Sequence, residues 1–271
     1  MSKAILIDST KCIGCRACQV ACKSWNDLQG GKATFSETWS NPRYLSSNQF
    51  TRIIFREIFS PDGQLQWHFI SRRCMHCHDP ACASACPVGA LIKMPEGPVV
   101  YDDGKCIGCR YCMMACPFQI PKFQWESAVP LVRKCTFCAD RQAMKLAPAC
   151  VTTCPTGTLL FGDRAELLKE AHRRIGAQPG RYYHEVYGEK IAGGTSKLFL
   201  TAVSFEELGL TDKGFRTDLG NTPQGLRGRE WMSKVPYVAL AVGGLAVGLH
   251  YMHKRQAEVQ AGERKEDESH G

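Results

Sequence analysis

The sequence predicts an α+β fold of two related modules, followed by a single apolar helix near the C-terminus. Three observations predict it. The sixteen cysteines of the 271-residue chain fall into four groups of four, an internal repeat relates the groups in pairs, and one long apolar run lies near the C-terminal end. Cysteine is far above its ordinary usage, so its distribution is considered first. The groups are Cys12, Cys15, Cys18 and Cys22; Cys74, Cys77, Cys82 and Cys86; Cys106, Cys109, Cys112 and Cys116; and Cys135, Cys138, Cys150 and Cys154.

The first and third groups are copies of one unit. Residues 5–22 align with residues 99–116 without a gap, and the match includes the four cysteines, an Asp, a Lys and an Ile-Gly pair. The second and fourth groups form another pair. Both place a basic residue before Cys-x-x-Cys-x-Asp and continue as Pro-Ala-Cys-x-x-x-Cys-Pro, with interior loops of four and eleven residues. This pattern predicts a duplicated two-motif module.

The spacing Cys-x-x-Cys-x-x-Cys-x-x-x-Cys occurs at residues 12–22 and again at 106–116. It is the bacterial ferredoxin spacing, in which three thiolates hold one 4Fe-4S cubane and the fourth cysteine holds another. A tight loop can place three sulfurs on three corners of a cube, whereas the following turn carries the fourth away. Gly14 and Gly108 permit close backbone approach and positive φ in these loops. The prediction is therefore four 4Fe-4S clusters on two bacterial-ferredoxin-like modules related by internal duplication.

Other roles for the cysteines remain open at this point. An even count suits a disulfide framework in an exported protein, but most neighbours lie only two to four residues apart, which suits convergence on a common centre better. Zinc is the competing metal, because the fourth group alone resembles a zinc ribbon. A zinc-binding structural or assembly protein is thus the alternative of a different class. His76 and His78 flank the second group and are expected to be neighbours rather than ligands, since cysteine supplies every ligand needed.

Short strands are predicted between the motifs, and one helix after them. Runs rich in β-branched and aromatic residues predict the strands, and apolar spacing predicts an amphipathic helix over 164–175. The predicted strands are 4–7, 51–59, 65–70, 99–101 and 159–161. The chain is predicted to divide into four parts: a four-cluster region over 1–160, a peripheral extension and linker over 161–234, a transmembrane helix over 235–252 and a polar tail over 253–271. The four-cluster region contains the motifs at 12–22, 74–86, 106–116 and 135–154 and an insertion at 23–73.

The apolar run covers residues 235–249 without a charge and extends to 252. A membrane span wants about twenty apolar residues, so this length is marginal and a buried core helix is the alternative. Three features favour a single transmembrane helix: the connector-like composition of residues 211–228, Pro236 as a first-turn residue, and a Gly-x-x-x-Gly face. Basic residues lie on both sides of the run, so charge does not predict its orientation.

Charge and motifs exclude several classes of function. The formal net charge is +8, but the basic residues are dispersed and form no stripe typical of a nucleic-acid interface. The sequence before the first cysteine group has no apolar segment of a secretory signal, which by itself predicts a cytoplasmic location. Phosphate-binding glycine motifs and a nucleophile with a placed base are also lacking. We therefore expect an electron conduit that is not an enzyme by itself.

Five segments resemble a known family: CIGCRACQVACKSWND over 12–27, CMHCHDP over 74–80, CPFQIP over 116–121, PACVTTCPTG over 148–157 and Gly-Gly-Thr over 193–195. They are similar to the four-cluster ferredoxin-like subunits of molybdopterin oxidoreductase complexes, and most of all to the iron–sulfur (beta) subunit of membrane-bound respiratory formate dehydrogenase. The resemblance covers nearly the whole chain. The cysteine motifs identify the superfamily. The Trp-Asn-Asp extension, the Gly-Gly-Thr segment and the terminal helix narrow the resemblance to the formate dehydrogenase subunit.

The resemblance implies how the clusters share their ligands. Spacing alone leaves the pairing open, because the third group is as close in sequence to the fourth as to the second. The implied metal-binding sets are Cys12, Cys15, Cys18 and Cys154; Cys22, Cys135, Cys138 and Cys150; Cys74, Cys77, Cys82 and Cys116; and Cys86, Cys106, Cys109 and Cys112.

The resemblance also implies partners and a location. The partners are a catalytic alpha subunit with a molybdopterin centre of molybdenum or tungsten, and a cytochrome b gamma subunit that passes electrons to quinone. Relatives are exported folded on a signal borne by the catalytic partner. The cluster domain is thus expected in the periplasm at the inner membrane, with the cytoplasmic side as the alternative. The expected function is relay of electrons from formate oxidation; the nearest alternative is the same conduit in a membrane hydrogenase or another molybdopterin reductase complex.

Overall fold

The computed structural model describes residues 2–31, 35, 38–60, 62–210 and 223–269. The chain divides into two units, Met1–Gly228 and Arg229–Gly271. Short helices are mixed with mostly antiparallel strand pairs, which agrees with an α+β fold. The strands of the described residues are β1 (Lys3–Asp8), β2 (Arg52–Phe59), β3 (Leu65–Arg72), β4 (Leu91–Lys93), β5 (Val99–Tyr101), β6 (Lys122–Phe123), β7 (Val132–Arg133), β8 (Leu159–Asp163) and β9 (Lys197–Leu200). The α-helices are α1 (Ala17–Trp25), α2 (Ala81–Ser84), α3 (Tyr111–Ala115), α4 (Ala139–Ala143), α5 (Ala149–Thr152), α6 (Arg164–Ala177) and α7 (Pro223–Ser269).

A three-stranded sheet connects the two ends of the first unit. Its order is β8-β1-β9, with β1 antiparallel to β8 and parallel to β9. Alternate side chains of β1 enter different cores: Ile5 and Ile7 face the larger one, while Ala4 and Leu6 pack with Leu167 of α6. The sheet crosses the predicted division at residue 160, because β8 begins just before it and β9 lies well beyond it. That division stays a prediction.

Three antiparallel hairpins surround the cysteine motifs: β2–β3, β4–β5 and β6–β7. The longest, β2–β3, lies in the predicted insertion. One of its faces carries an aromatic cluster in which the Phe55 and Phe69 rings meet edge to face with centroids 4.9 Å apart. Trp67 stacks beside Phe69 at 6.4 Å. This face lies against the first cysteine loop, since the site of a Cβ on Gly14 would be 2.8 Å from the Phe69 ring.

Cysteines are themselves part of the apolar core. Six belong to the buried members of two hydrophobic clusters, and further cysteines pack against both from partly buried positions. Aliphatic side chains alone therefore do not fill the interior of this unit. The buried members are Cys22, Cys74, Cys135 and Cys150 in the larger cluster, and Cys82 and Cys112 in the smaller.

The second unit consists mainly of helix α7, which is much longer than the apolar run alone predicted. It contains Pro236 in its interior rather than in its first turn, so that expectation was wrong. The predicted connector lies outside the described residues over 211–222, and its remainder, 223–228, is helical. One stretch, Lys234–Glu258, is long and apolar enough to cross a membrane by length and composition. Its apolar side chains are exposed, for example Leu240 at 74%.

Candidate metal centres

The sixteen cysteines of the first unit lie in four clusters, which we name sites A to D. Three are cavities with cysteine linings. Site C is identified from its mutual interactions: burial raises the pKa of Cys77 most, and Cys116, Cys74 and Cys82 raise it further. Each site combines cysteines from two sequence groups, in the same sets that the family resemblance implies. Site A is lined by Cys12, Cys15, Cys18 and Cys154, site B by Cys22, Cys135, Cys138 and Cys150, and site D by Cys86, Cys106, Cys109 and Cys112.

The cysteines of each cavity surround a space rather than a point. Site A has about 430 Å³ of space between its lining residues and sites B and D about 310 Å³ each, part of which is open to solvent. Over the described residues, no three His, Cys, Asp or Glu side chains form a group that could hold one metal ion. Four sulfurs around a volume suit a 4Fe-4S cubane, which takes cysteine thiolates as its ligands, better than a tetrahedral zinc ion.

Two pairs of packed helices explain why each site draws on two groups. Helix α1 packs against α5 in one half, and α2 packs against α3 in the other. On α1, Cys18 lines site A while Cys22, about one turn further along, lines site B. On α3, Cys112 lines site D, and Cys116 just beyond the helix end joins site C. The turn of helix after the loop thus carries the fourth sulfur to a neighbouring site.

The two ferredoxin loops have nearly the same backbone, as their sequence repeat predicts. Gly14 and Gly108 have φ of +68° and +70°, and Arg16 and Arg110 share φ 62° and ψ 7° before their helices. These left-handed residues bend the chain around its sulfurs. In the second loop the Gly108 N–H donates a hydrogen bond to Cys106 Sγ at 3.4 Å. Such bonds stabilise a thiolate ligand and tune the potential of a cluster.

Electrostatic interactions link the four sites in the order A, B, C, D, and we call this sequence of sites the row. Burial raises the pKa of Cys18 in site A, and Cys150 of site B adds to this rise. Burial likewise raises the pKa of Cys135 in site B, with a contribution from Cys74 of site C. Burial raises the pKa of Cys82 in site C, to which Cys112 of site D contributes. Adjacent sites are therefore within electrostatic reach of each other.

Most of the thiols with a resolved shift resist ionisation. Burial raises the pKa of Cys12 to about 11 and that of Cys22 to about 12. In Cys154 the pKa is instead lowered, because hydrogen bonds around Leu159 and Thr156 outweigh its burial. A metal ligand has to be a thiolate, so positive charge must enter these sites when the sulfurs ionise. In a 4Fe-4S cluster the iron ions supply this positive charge.

Three buried basic side chains lie among the cysteines, and their burial was not predicted from the sequence. Arg73 is 2% exposed, Lys134 5% and Lys197 1%. Burial lowers the pKa of Arg73, but Cys150 and the other nearby thiols outweigh it and raise the pKa overall. Burial lowers the pKa of Lys197 to about 8, partly offset by the thiols of site B. The repeat gave a signal for two of them, since Arg73 and Lys134 both directly precede the first cysteine of their groups.

Of the two histidines beside Cys77, His76 makes packing and hydrogen-bond contacts of a structural kind. His76 is fully buried, its Nδ1 accepts a hydrogen bond from the Val99 N–H at 2.9 Å, and its ring centroid lies 4.9 Å from that of Phe137. Burial, followed by Arg164 and Lys93, lowers the pKa of His78 to about 4. Burial likewise lowers the pKa of His76, so both imidazoles favour the neutral form.

The two ends of the row reach the surface. Cys15 in site A and Cys109 in site D are the two exposed cysteines. They occupy equivalent positions in the repeat, and each is close to an exposed isoleucine, Ile13 at 61% and Ile107 at 63%. Apolar side chains beside an exposed cysteine suit contact with another protein better than contact with water.

Comparison with known proteins agrees with this geometry. Two profiles of the 4Fe-4S dicluster domain match residues 65–164 and 11–90. The iron–sulfur subunit of the nitrate-inducible formate dehydrogenase of Escherichia coli K12 is 42% identical over 200 residues, or 73% of this chain and 67% of that protein. The formate dehydrogenase iron–sulfur subunit of Haemophilus influenzae is 38% identical over 258 residues, or 92% and 80%. The hydrogenase-2 operon protein HybA of Escherichia coli O157:H7 is 37% identical over 241 residues, or 77% and 73%.

The matched regions contain all four cysteine groups, and the two dicluster profiles allow four clusters for sixteen cysteines. The predictions of 4Fe-4S cofactors, of tandem ferredoxin-like modules and of an electron-transfer role are confirmed. On this evidence the chain belongs to the family of 4Fe-4S iron–sulfur electron-transfer subunits that includes those of formate dehydrogenases and HybA.

Proposed function

We propose that this subunit relays electrons from formate oxidation in a catalytic partner, through four 4Fe-4S clusters, to a cytochrome b in the membrane and then to quinone. The observation that carries the conduit role is the row of four cysteine sites that reaches the surface at both ends through Cys15 and Cys109. The likeness to two formate dehydrogenase iron–sulfur subunits supports formate as the electron source.

The proposed ligands are the cysteines of sites A to D. Three of the four sets line a common cavity, and the fourth interacts within itself, which supports one cluster for each set. When bound, the clusters accept and donate single electrons. The residues of this chain bind them, hold them in a row and exclude water from the interior sites, where Cys22, Cys135, Cys138 and Cys150 are all buried.

The terminal sites are proposed as the points where electrons enter and leave. An electron crosses between proteins only over a short distance, so a terminal cluster has to lie near the surface. Cys15 and Cys109 meet this requirement, and both loops present apolar residues to a partner. One partner is a molybdopterin subunit with molybdenum or tungsten, and the other is the cytochrome b. The sequence divisions at residues 160, 234 and 252 remain proposals for the organisation around this row.

Helix α7 is proposed as a single-pass anchor in the inner membrane. Lys234–Glu258 has the length and composition of a span, and exposed apolar side chains along it suit lipid or another membrane helix. Gly244 and Gly248 have open space around them, so a neighbouring helix can approach closely there. The cluster unit is proposed to lie in the periplasm through co-export with the catalytic partner, with the cytoplasmic side as the alternative.

A second candidate keeps the conduit and changes the electron source. The 37% identity to HybA, a hydrogenase-2 operon protein, favours hydrogen in place of formate. A zinc-binding structural protein is the alternative of another class, and visible absorption separates it at once because cubane clusters are brown and zinc is colourless.

The test uses the complex that co-purifies with this chain from gently solubilised native membranes. Anaerobic additions of formate and of hydrogen are compared by the bleaching of cluster absorption, and mass spectrometry identifies the partners. We expect bleaching by formate alone and a large molybdopterin subunit with a small cytochrome b. Bleaching by hydrogen alone, with a nickel–iron subunit present, would overturn the formate assignment and leave the conduit intact.

The clusters themselves have a separate test with a matched pair of variants. Cys109→Ser removes a proposed site D ligand, whereas Ser84→Ala changes a partly buried residue near the clusters that is not a ligand. We expect the serine variant to lose or convert one cluster and the alanine variant to keep the iron content of the unaltered chain. Equal iron content and equal paramagnetic signals in both variants would refute the ligand assignment.

A further inference from the structure

Three buried basic side chains lie close to the cysteine sites, and the electron-transfer role does not by itself explain them. Arg73, Lys134 and Lys197 are all at least nine-tenths buried. In the part of the chain that the structure describes, none of the three forms a salt bridge with a carboxylate. A buried charge without a counter-charge is strongly unfavourable. The negative partner must therefore be something other than an acidic side chain.

The positions of two of these cations single out site B. Arg73 lines the cavity of site A and interacts with Cys150 and Cys135 of site B as well as with Cys18 of site A. Lys197 lines the cavity of site B itself and interacts with Cys135, Cys150 and, in site C, Cys74. One cation thus stands on the A side of site B and the other on its C side.

Lys197 is held in this position by an aromatic ring. Its Nζ lies 3.3 Å from the centroid of the Phe137 ring, and Phe137 is 1% exposed. The Phe137 N–H in turn donates to Cys135 Sγ at 3.4 Å. An ammonium over a buried ring is attracted by the negative face of the ring. The ring therefore fixes the ammonium beside the ligands of site B without neutralising its charge.

Site D lacks this arrangement. Among the described residues that line its cavity, the one basic side chain is Arg110, which is exposed to solvent. Its guanidinium lies over the Trp125 ring, 4.9 Å from the centroid, at the surface. Solvent screens an exposed charge far more than a buried one. Equal clusters in sites B and D would therefore experience different electrostatic potentials.

We propose that Lys197, together with Arg73, is a potential-setting residue that makes the cluster of site B easier to reduce than the cluster of site D. The proposal rests on the ligand assignment of site B given above. A cubane with four thiolates is negatively charged in both of its oxidation states, and reduction adds one further electron. That electron comes from the adjacent cluster, which is oxidised by one electron, and no bond or proton changes place. A fixed positive charge stabilises the added charge more strongly at low dielectric.

The test compares Lys197→Met with Lys197→Arg in the intact purified complex, by redox titration of the paramagnetic cluster signals. Cys138→Ser identifies the signal of site B, because Cys138 lines that cavity and no other cysteine site. Lys169→Met is the matched control, since it removes the same charge from a side chain that is 75% exposed on α6. Iron content is measured for each variant.

At a fixed ambient potential, we expect Lys197→Met to reduce the ratio of reduced to oxidised site B cluster about tenfold. This corresponds to a midpoint potential lower by about 59 mV for one electron. Lys197→Arg and Lys169→Met should leave the ratio within about twofold of the unaltered chain. A full iron content with no shift in Lys197→Met would overturn the proposal. Loss of site B iron in Lys197→Met that Lys197→Arg restores would also overturn it, because the charge would then serve cluster retention. Failure of the ligand assignment itself would show separately, as an unchanged signal in Cys138→Ser.

Discussion

The duplicated loops allow one substitution to be made twice in the same backbone but in different surroundings. Gly14 and Gly108 occupy the same repeat position with φ of +68° and +70°. A Cβ on Gly14 would lie 2.8 Å and 2.9 Å from two atoms of the Phe69 ring and 3.2 Å from Phe55 Cζ. A Cβ on Gly108 would meet its nearest neighbour, the Phe123 ring, at 3.9 Å, which is an ordinary contact.

The difference in cost follows from these distances. Alanine at positive φ costs about 1–2 kcal/mol at either position, because the backbone strain is the same. At Gly14 the Phe69 ring must also move, although it is confined by Phe55 and stacked on Trp67. Overpacking of this kind costs a further 1–3 kcal/mol or so. Gly14→Ala should therefore be worse than Gly108→Ala by about 2 kcal/mol, or roughly thirtyfold in a rate.

The assay is anaerobic loss of clusters to an iron chelator, followed by the visible absorption of the intact complex. Both variants should lose clusters faster than the unaltered chain, and Gly14→Ala should be about thirtyfold faster than Gly108→Ala if local opening limits the loss. Gly14→Ala should first lose the signal that disappears in Cys12→Ser. Equal rates for the two alanine variants would refute the argument, because they would show that the aromatic cluster yields without cost.

Two further predictions concern the core and the metal. Leu167→Ala opens a cavity between α6 and β1, where Leu167 packs with Ala4 and Leu6. It should lower the free energy of unfolding by about 3 kcal/mol, measured by thermal unfolding followed by circular dichroism. The control Leu168→Ala, at a partly buried neighbour, should lower it distinctly less. Complete removal of iron should abolish the near-ultraviolet dichroism of the cluster unit, because cysteines form part of its core, while the far-ultraviolet helix signal of α7 should persist in detergent; retention of the near-ultraviolet signal would show that the core holds without clusters.

The sequence predicted the elements that have a clear periodicity. Strands β1, β2, β3, β5 and β8 and helix α6 agree with the predicted ranges to within two residues at each end. Strand β9 was missed because all four of its side chains are buried, which leaves no alternation to recognise. The polar flanks of α7 were missed for the opposite reason, since residues beyond the apolar run have no hydrophobic pattern.

The candidate cysteine ligands could be predicted from the sequence, but the buried basic side chains beside them could not. Cysteine spacing carries its own geometric meaning, so all sixteen candidates could be named from the sequence. Lys197 could not, because a lone lysine is ordinarily a solvated surface residue. Its burial comes from the parallel pairing of β9 with β1, and this long-range contact brings it under Phe137. Long-range pairings of that kind leave no local signal in the sequence.

The nesting of the cysteine sites has a consequence for the order of biosynthesis. Sites C and D draw on residues 74–116 alone, whereas site A joins Cys12 to Cys154 and site B joins Cys22 to Cys150. During translation the inner pair can be completed while later residues are still unmade. The outer pair cannot, because its proposed ligand sets are complete only once Cys150 and Cys154 have been made. Cluster insertion in this chain should therefore proceed from the middle of the sequence outward.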